Sequence, residues 1–203
     1  MATVTELGIK GKLKGAIFYI MHGKQRYRSK PSKMTNPRTP EQMQGRTQFG
    51  AVSKFASTLI KDLIHPYWNP LADKINRRGY NYFVTSNLPA FKSGELAAEK
   101  LILCLENGLV EEEFMVEKQG KLTSLRWEYN RPEAKSSGSN DALCLLIFSQ
   151  AQGLRMTDNI ARRSDRQAMI EHTGTGRQHY FAFWKRGKLW SASNWLFEVN
   201  PDS

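Results

Sequence analysis

Four cations stand at every second residue in Lys24, Arg26, Arg28 and Lys30, and Lys33 and Arg38 follow in the same stretch. Alternate side chains of an extended chain share a face, so these four project to one side while Gln25, Tyr27 and Ser29 project to the other. A row of guanidinium and ammonium groups suits phosphate oxygens, and its chemistry is charge-based docking rather than bond making. Such a row also blunts a sheet edge against aggregation. Tyr27 points away from the cations, which argues against base stacking by that ring.

The distribution of charge favours the docking role. The chain of 203 residues carries a net charge of +11. Residues 1–91 hold 15 Lys/Arg against 4 Asp/Glu, whereas residues 92–203 hold 15 of each. All of the net charge therefore belongs to the first part, an asymmetry that points to a polyanionic partner, nucleic acid first and an acidic protein surface second.

Residues suited to other chemistry lack partners in sequence. His22 falls in a turn, His65 precedes a proline, and His172 and His179 flank Gly174-Thr175-Gly176, where they could face each other across a hairpin; no spaced ligand set accompanies them. Glu111, Glu112 and Glu113 are consecutive and so point in different directions, as a solvated face would. The tract 174–176 and GKLKG at 11–15 lack the spacing and helix context of phosphate loops. No nucleophile elbow or HExxH sequence is present. The expectation is a protein without catalytic residues, metal or cofactor. Arg155, Arg162, Arg163 and Arg166, diluted by Asp158 and Asp165, are expected in an exposed loop of mixed charge. Cys104 and Cys144 lie in apolar runs and are expected as buried thiols, with a disulfide between them the alternative. Trp184, Trp190 and Trp195, on the last two expected strands, form either an aromatic contact patch or a surface covered by the helical part.

These residues need elements to hold them. Gly15–Met21 and Lys24–Lys30, separated by His22-Gly23, predict a β-hairpin, and the proline-rich run SKPSKMTNPRTP continues it as extended backbone. Thr39, Pro40, Glu41 and Gln42 give a helix start with a Thr-x-x-Gln capping box. Val52, Phe55, Ala56, Leu59, Ile60, Leu63 and Ile64 form its core stripe, and His65-Pro66 should end it. Gly45 and Gly50 suggest close backbone packing near the helix start. A second helix is expected from Pro70 to about Ser86, interrupted by Arg77-Arg78-Gly79. Beyond Phe91 alternation replaces helical periodicity, with strands expected at about 99–105, 113–118, 121–129, 141–149, 153–158, 166–171, 178–185 and 189–198. Leu125, Trp127 and Tyr129 on one strand and Tyr180, Ala182 and Trp184 on another should face the core. So many short strands suggest a β-sandwich with one buried and one wet face on each sheet.

From Gly11 onward the chain resembles a family of Bacteroidetes proteins that carry a domain of unknown function. The resemblance rests on GKLKGAIFYIMHGKQRYRSKP, NPRTPEQMQGRTQF, YNYFVTSN, SLRWEYN, DALCLLIF and the terminal YFAFWKRGKLWSASNWLF, while the basic RRSDR turn departs from the family. It implies an immunoglobulin- or fibronectin type III-like sandwich in the C-terminal half.

The sequence thus predicts an α+β protein: an N-terminal β-hairpin and two helices in residues 1–91, then an antiparallel β-sandwich in residues 92–203. No apolar run approaches the roughly 18 residues of a membrane span, and the start MATVTELGIKGKLKG lacks a secretory apolar core, so the expected location is cytoplasmic. The expected function is non-enzymatic: Lys24, Arg26, Arg28, Lys30, Lys33 and Arg38 dock nucleic acid or another polyanion without reading sequence. The alternative is an assembly protein, as in a phage-like or multiprotein particle, that makes protein contacts or self-associates.

Overall fold

A computed structural model describes residues 2–5, 8–21, 23–30, 38–92, 95–129, 137–149, 152–173 and 176–200. His22, Lys33, most of the proline-rich run, the loop at 130–136 and the tip of the 174–176 tract lie outside them. The protein is α+β, built from helices and antiparallel sheets, and its residues cluster into two compact units, 1–43 and 44–203. The expected division lay at 91/92. Residues 44–91 instead group with the strands, because their helices share a core with them.

In the first unit the expected hairpin is present as β3 (Ala16–Met21) and β4 (Lys24–Ser29), with Gly23 at φ +69° in its turn. It is half of a larger sheet. β1 (Ala2–Thr5) and β2 (Gly8–Leu13) extend it to a four-stranded meander in the order β1-β2-β3-β4. Thr39 caps the helix α1 (Pro40–Thr58) as expected, its hydroxyl accepting from the Gln42 amide at 3.4 Å. Its hydroxyl and a backbone amide also hold the exposed Glu41 carboxyl below its ordinary range, the backbone contribution being the larger.

The second unit has three layers. The helical layer continues α1 through a π-helical segment, Ile60–Trp68, into α2 (Asn69–Lys74) and then α3 (Gly79–Asn87). Pro66 therefore does not end the helix. The Leu59 carbonyl accepts from both Leu63 (3.0 Å) and Ile64 (2.9 Å), which shifts the ladder by one residue and widens the turn that carries a proline without an amide hydrogen. The second helix is interrupted as expected, with the break at 75–78, where Asn76 takes φ +53°. Close backbone approach occurs at Gly79, where an added Cβ would lie 2.8 Å from the Asn69 amide nitrogen. Gly45 and Gly50 instead face open space, with no described atom within 4 Å of an added Cβ.

The middle layer is a five-stranded sheet in which β10 (Gly153–Arg162), β9 (Ala142–Ser149) and β12 (Gln178–Arg186) are neighbours, and β12 also pairs with β13 (Leu189–Trp190) and β14 (Asn194–Val199). The outer layer is three-stranded, β11 (Gln167–Glu171), β8 (Leu122–Trp127) and β7 (Phe114–Gln119). A short pair, β5 (Phe91–Lys92) and β6 (Glu95–Leu96), links helices to strands.

The expected core residues Leu125, Trp127, Tyr180, Ala182 and Trp184 do meet between the two sheets, with Leu143, Leu145 and Phe197. The central strands β9 and β12 have no wet face, however. Cys144, Leu146, Phe181 and Phe183, on their other side, pack on Val52, Leu63, Trp68 and Phe83 of the helices. Burial on both faces explains the unbroken apolar runs ALCLLIF and YFAFW.

Residues 99–105 are not a strand. After a 3-10 turn at Ala98–Lys100 the chain runs as irregular backbone, bent at Leu103, between helices and sheet, and side chains satisfy its backbone. Trp68 Nε1 donates to the Leu103 carbonyl (2.7 Å), Asn87 brackets Ile102 on both its amide and carbonyl, and Ser193 Oγ accepts from Leu103 (3.1 Å) and Cys104 (2.9 Å). Ser191–Ser193 accordingly leaves the sheet, and the single strand expected at 189–198 is split into β13 and β14.

Candidate polyanion-binding face

In antiparallel pairs, residues directly opposite one another share a face. Met21 lies opposite Lys24, Tyr19 opposite Arg26, and Ile17 opposite both Arg28 and Lys12. Lys24, Arg26 and Arg28 therefore do share one face, as the spacing predicts, and Lys12 and Lys10 of β2 join them. All five are exposed. Lys30 follows the strand, its amide donating to Gly15 at 2.6 Å, and Arg38 is exposed ahead of α1. None of these cations forms an ion pair with a described carboxylate, and the sequence from Gly8 to Arg38 contains no Asp or Glu. Their charge is available to a ligand.

Lys10 and Lys12 are not among the cations that the sequence pattern singled out. The signal was present: Lys10 and Lys12 have the same two-residue spacing as Lys24 to Lys30. Tyr19 was missed as well. It stands half-buried on the cationic side, and with Ile17 and Arg28 it lines a hollow of about 350 Å³. Tyr27 lies on the opposite face beside Phe18, with ring centroids 6.1 Å apart.

The other candidate residues of the second unit are placed differently. Trp184 and Trp190 are buried, and Trp195, at 39% exposure, is the one open ring of the three. No three-tryptophan patch exists. Trp184 meets Trp127 edge-on between the sheets, with ring centroids 5.2 Å apart, and Trp190 donates from Nε1 to the Leu105 carbonyl at 2.8 Å under Tyr67. Arg163, expected in an exposed loop, is fully buried: it pairs with Asp141 (3.4 Å) and Glu112 (3.2 Å), donates to the Val110 carbonyl (2.9 Å) and lies 4.6 Å over the Trp184 ring. Arg186 pairs with the same Asp141 at 3.2 Å.

Glu111 and Glu113 are exposed, whereas Glu112 turns inward to Arg163. Together with Glu99, Glu128 and Trp195 they line an open groove of about 1040 Å³ beside β7 and β14. His172 and His179 do not face each other: His172 Nε2 is 2.7 Å from the Thr123 hydroxyl, and His179 Nδ1 is 3.4 Å from Glu198. Burial lowers the pKa of both, and for His179 it outweighs the opposing pull of Glu198. Cys104 and Cys144 are free, buried thiols. Burial raises both, Cys144 to about 12, so neither presents a thiolate at neutral pH.

Among the described residues no three His, Cys, Asp or Glu converge as a metal site, and no helix is long and apolar enough to cross a membrane. No protein-family model matches the chain, and no curated protein is similar to it in sequence.

Proposed function

We propose that this is a non-enzymatic binding protein whose N-terminal sheet docks a polyanion, nucleic acid first, through phosphate contacts that carry no sequence readout. One observation carries the reading: Lys10, Lys12, Lys24, Arg26 and Arg28 crowd one sheet face without a described carboxylate among them. In residues 1–43 there are nine Lys/Arg against two Asp/Glu. Like charges so close cost stability unless an anion neutralises them, and counterion release from phosphates is the standard gain. Lys30 and Arg38 extend the same contact. The working location is the cytoplasm, where nucleic acid is accessible.

The test is fluorescence anisotropy with labelled DNA across a salt series, for the intact chain and for the variant Lys24→Ser/Arg26→Ser/Arg28→Ser/Lys30→Ser. Loss of four phosphate contacts should flatten the log-log salt slope on duplex by about 3.6. Equal affinity and equal slope for the two proteins would overturn the assignment.

We also assign the two packed sheets to an immunoglobulin- or fibronectin type III-like sandwich, in keeping with the family the sequence resembles. Strand order supports this: the chain makes two strands of the outer sheet (β7, β8), two of the middle sheet (β9, β10), returns to the outer (β11) and finishes in the middle (β12 to β14), a Greek-key path. An experimental structure with β11 in the middle sheet would remove the assignment.

A second reading, assembly, is favoured by the glutamate-lined groove. An edge strand such as β4 from another copy, fully exposed and cationic, has the charge to complement it. Sedimentation velocity separates the readings. Salt-sensitive self-association without nucleic acid supports assembly, and a monomer at high micromolar concentration counts against it.

A further inference from the structure

The cationic face is more than a row of charges, and its one aromatic ring distinguishes between forms of nucleic acid. Tyr19 sits directly across from Arg26, with Ile17 two residues before it on the same strand and face. Ile17, Tyr19 and Arg28 surround a hollow of about 350 Å³, which has room for one planar base. A duplex holds its bases paired and stacked inside, so it can offer this surface only phosphates and groove edges. An unpaired strand can turn a base out onto a ring while its backbone runs along the neighbouring cations. Here the cations lie on both sides of the hollow: Lys12 on β2, and Lys24, Arg26 and Arg28 on β4. On one strand the cations recur at about 6.8 Å, twice the residue rise, which gives an extended backbone successive contacts.

Resting on the polyanion reading of the same face, we propose that the N-terminal sheet is a single-strand nucleic-acid site. One unstacked base lies on the Tyr19 ring between Ile17 and Arg28, and the flanking phosphates contact Lys12, Lys24 and Arg26. Stacking of this kind accepts any base, so affinity is largely indifferent to sequence. The Phe18 and Tyr27 rings, on the reverse face, take no part.

The experiment compares labelled oligo-dT and oligo-U of about 15 nucleotides, a length within single-strand site sizes, with a duplex of equal length, for the intact chain and for Tyr19→Leu, Tyr19→Phe and Tyr27→Leu. Tighter binding of single strands is expected, about tenfold weaker for Tyr19→Leu and nearly unchanged for Tyr19→Phe and Tyr27→Leu. The single-strand salt slope for these three contacts is about −2.1. Photo-crosslinking of a 4-thiouridine oligonucleotide to the unaltered protein, mapped by mass spectrometry, should place the adduct at Tyr19 and so does not depend on any variant folding. Equal affinity for single strand and duplex, with Tyr19→Leu silent and crosslinks elsewhere, overturns this inference and leaves phosphate docking standing. Absence of binding to either form at low salt overturns both.

Discussion

The N-terminal sheet and the middle sheet of the second unit use the same alternation for opposite ends. In β2 and β4 one parity of residues carries the cations, β3 between them adds Ile17, Tyr19 and Met21 to that face, and none of the residues from Gly8 to Lys30 with a described side chain is buried. In β9 and β12 both parities are apolar, one packed on the outer sheet and one on the helices. The second region puts its stability into contacts on two faces. The first leaves a face unspent, and its charges do not compensate one another. Among the described residues, the buried charges of the second unit are compensated: Arg163 is held by Asp141 and Glu112 and covered by Trp184. Charge left without a counter-charge at a surface marks where a ligand belongs, and charge paired inside a core marks structure.

Substitutions in the two regions should therefore behave differently. Trp184→Ala should cost about 4 kcal/mol in urea unfolding, since it empties the space between the sheets. The four-serine variant of β4 should change stability by no more than about 0.5 kcal/mol per site, as exposed positions do. Comparable losses in the two proteins would break the contrast. Arg163→Ala should cost about 3 kcal/mol by leaving Asp141 and Glu112 short of their shared partner, and thermal unfolding monitored by tryptophan emission would read it. A loss below about 0.5 kcal/mol would show that Arg163 is not structural and reopen it as a binding residue.

Smaller effects sharpen the picture. Gly50→Ala should stabilise the second unit by about 1 kcal/mol, because the added methyl meets open space in a helix interior; a destabilised variant would reveal a partner surface on that face of α1. The smallest effect concerns pH. His172 and His179 have folded pKa values below the ordinary 6.5, so the unfolded chain binds protons first as pH falls. Their contribution is complete above about pH 6.5 and is lost below it. The melting temperature should decline from pH 7.5 to pH 5.5 by less in a His172→Gln/His179→Gln protein than in the parent, and identical declines would refute the linkage.

Much of this was legible in the sequence. The shared face of Lys24, Arg26 and Arg28 follows from period two alone, and the Thr39 cap follows from four adjacent residues. The core role of Leu125, Trp127, Tyr180, Ala182 and Trp184 was equally readable. Less legible was whatever depends on a distant neighbour. Alternation marks one face of β12 as core but does not say that helices cover the other, so Trp190 remained a plausible open ring. Arg163 reads as a solvated arginine until Asp141 and Glu112, 22 and 51 residues away in sequence, are brought beside it. Pro66 signals a helix end only if the ladder stays α-helical, and a one-residue shift at Leu59 removes that condition.

The irregular segment at 101–105 has a kinetic consequence. Its partners Trp68, Asn87, Trp190 and Ser193 lie 35, 15, 85 and about 90 residues away along the chain. Neither a local turn nor a ladder with a neighbouring strand can order it early, and each contact requires closing a long loop first. The segment is thus set in place among the last events of folding. Once there, the amides of Ile102, Leu103 and Cys104, bonded to side chains from both flanking layers, should exchange with deuterium only when the whole unit opens, and they report its global stability from within its core.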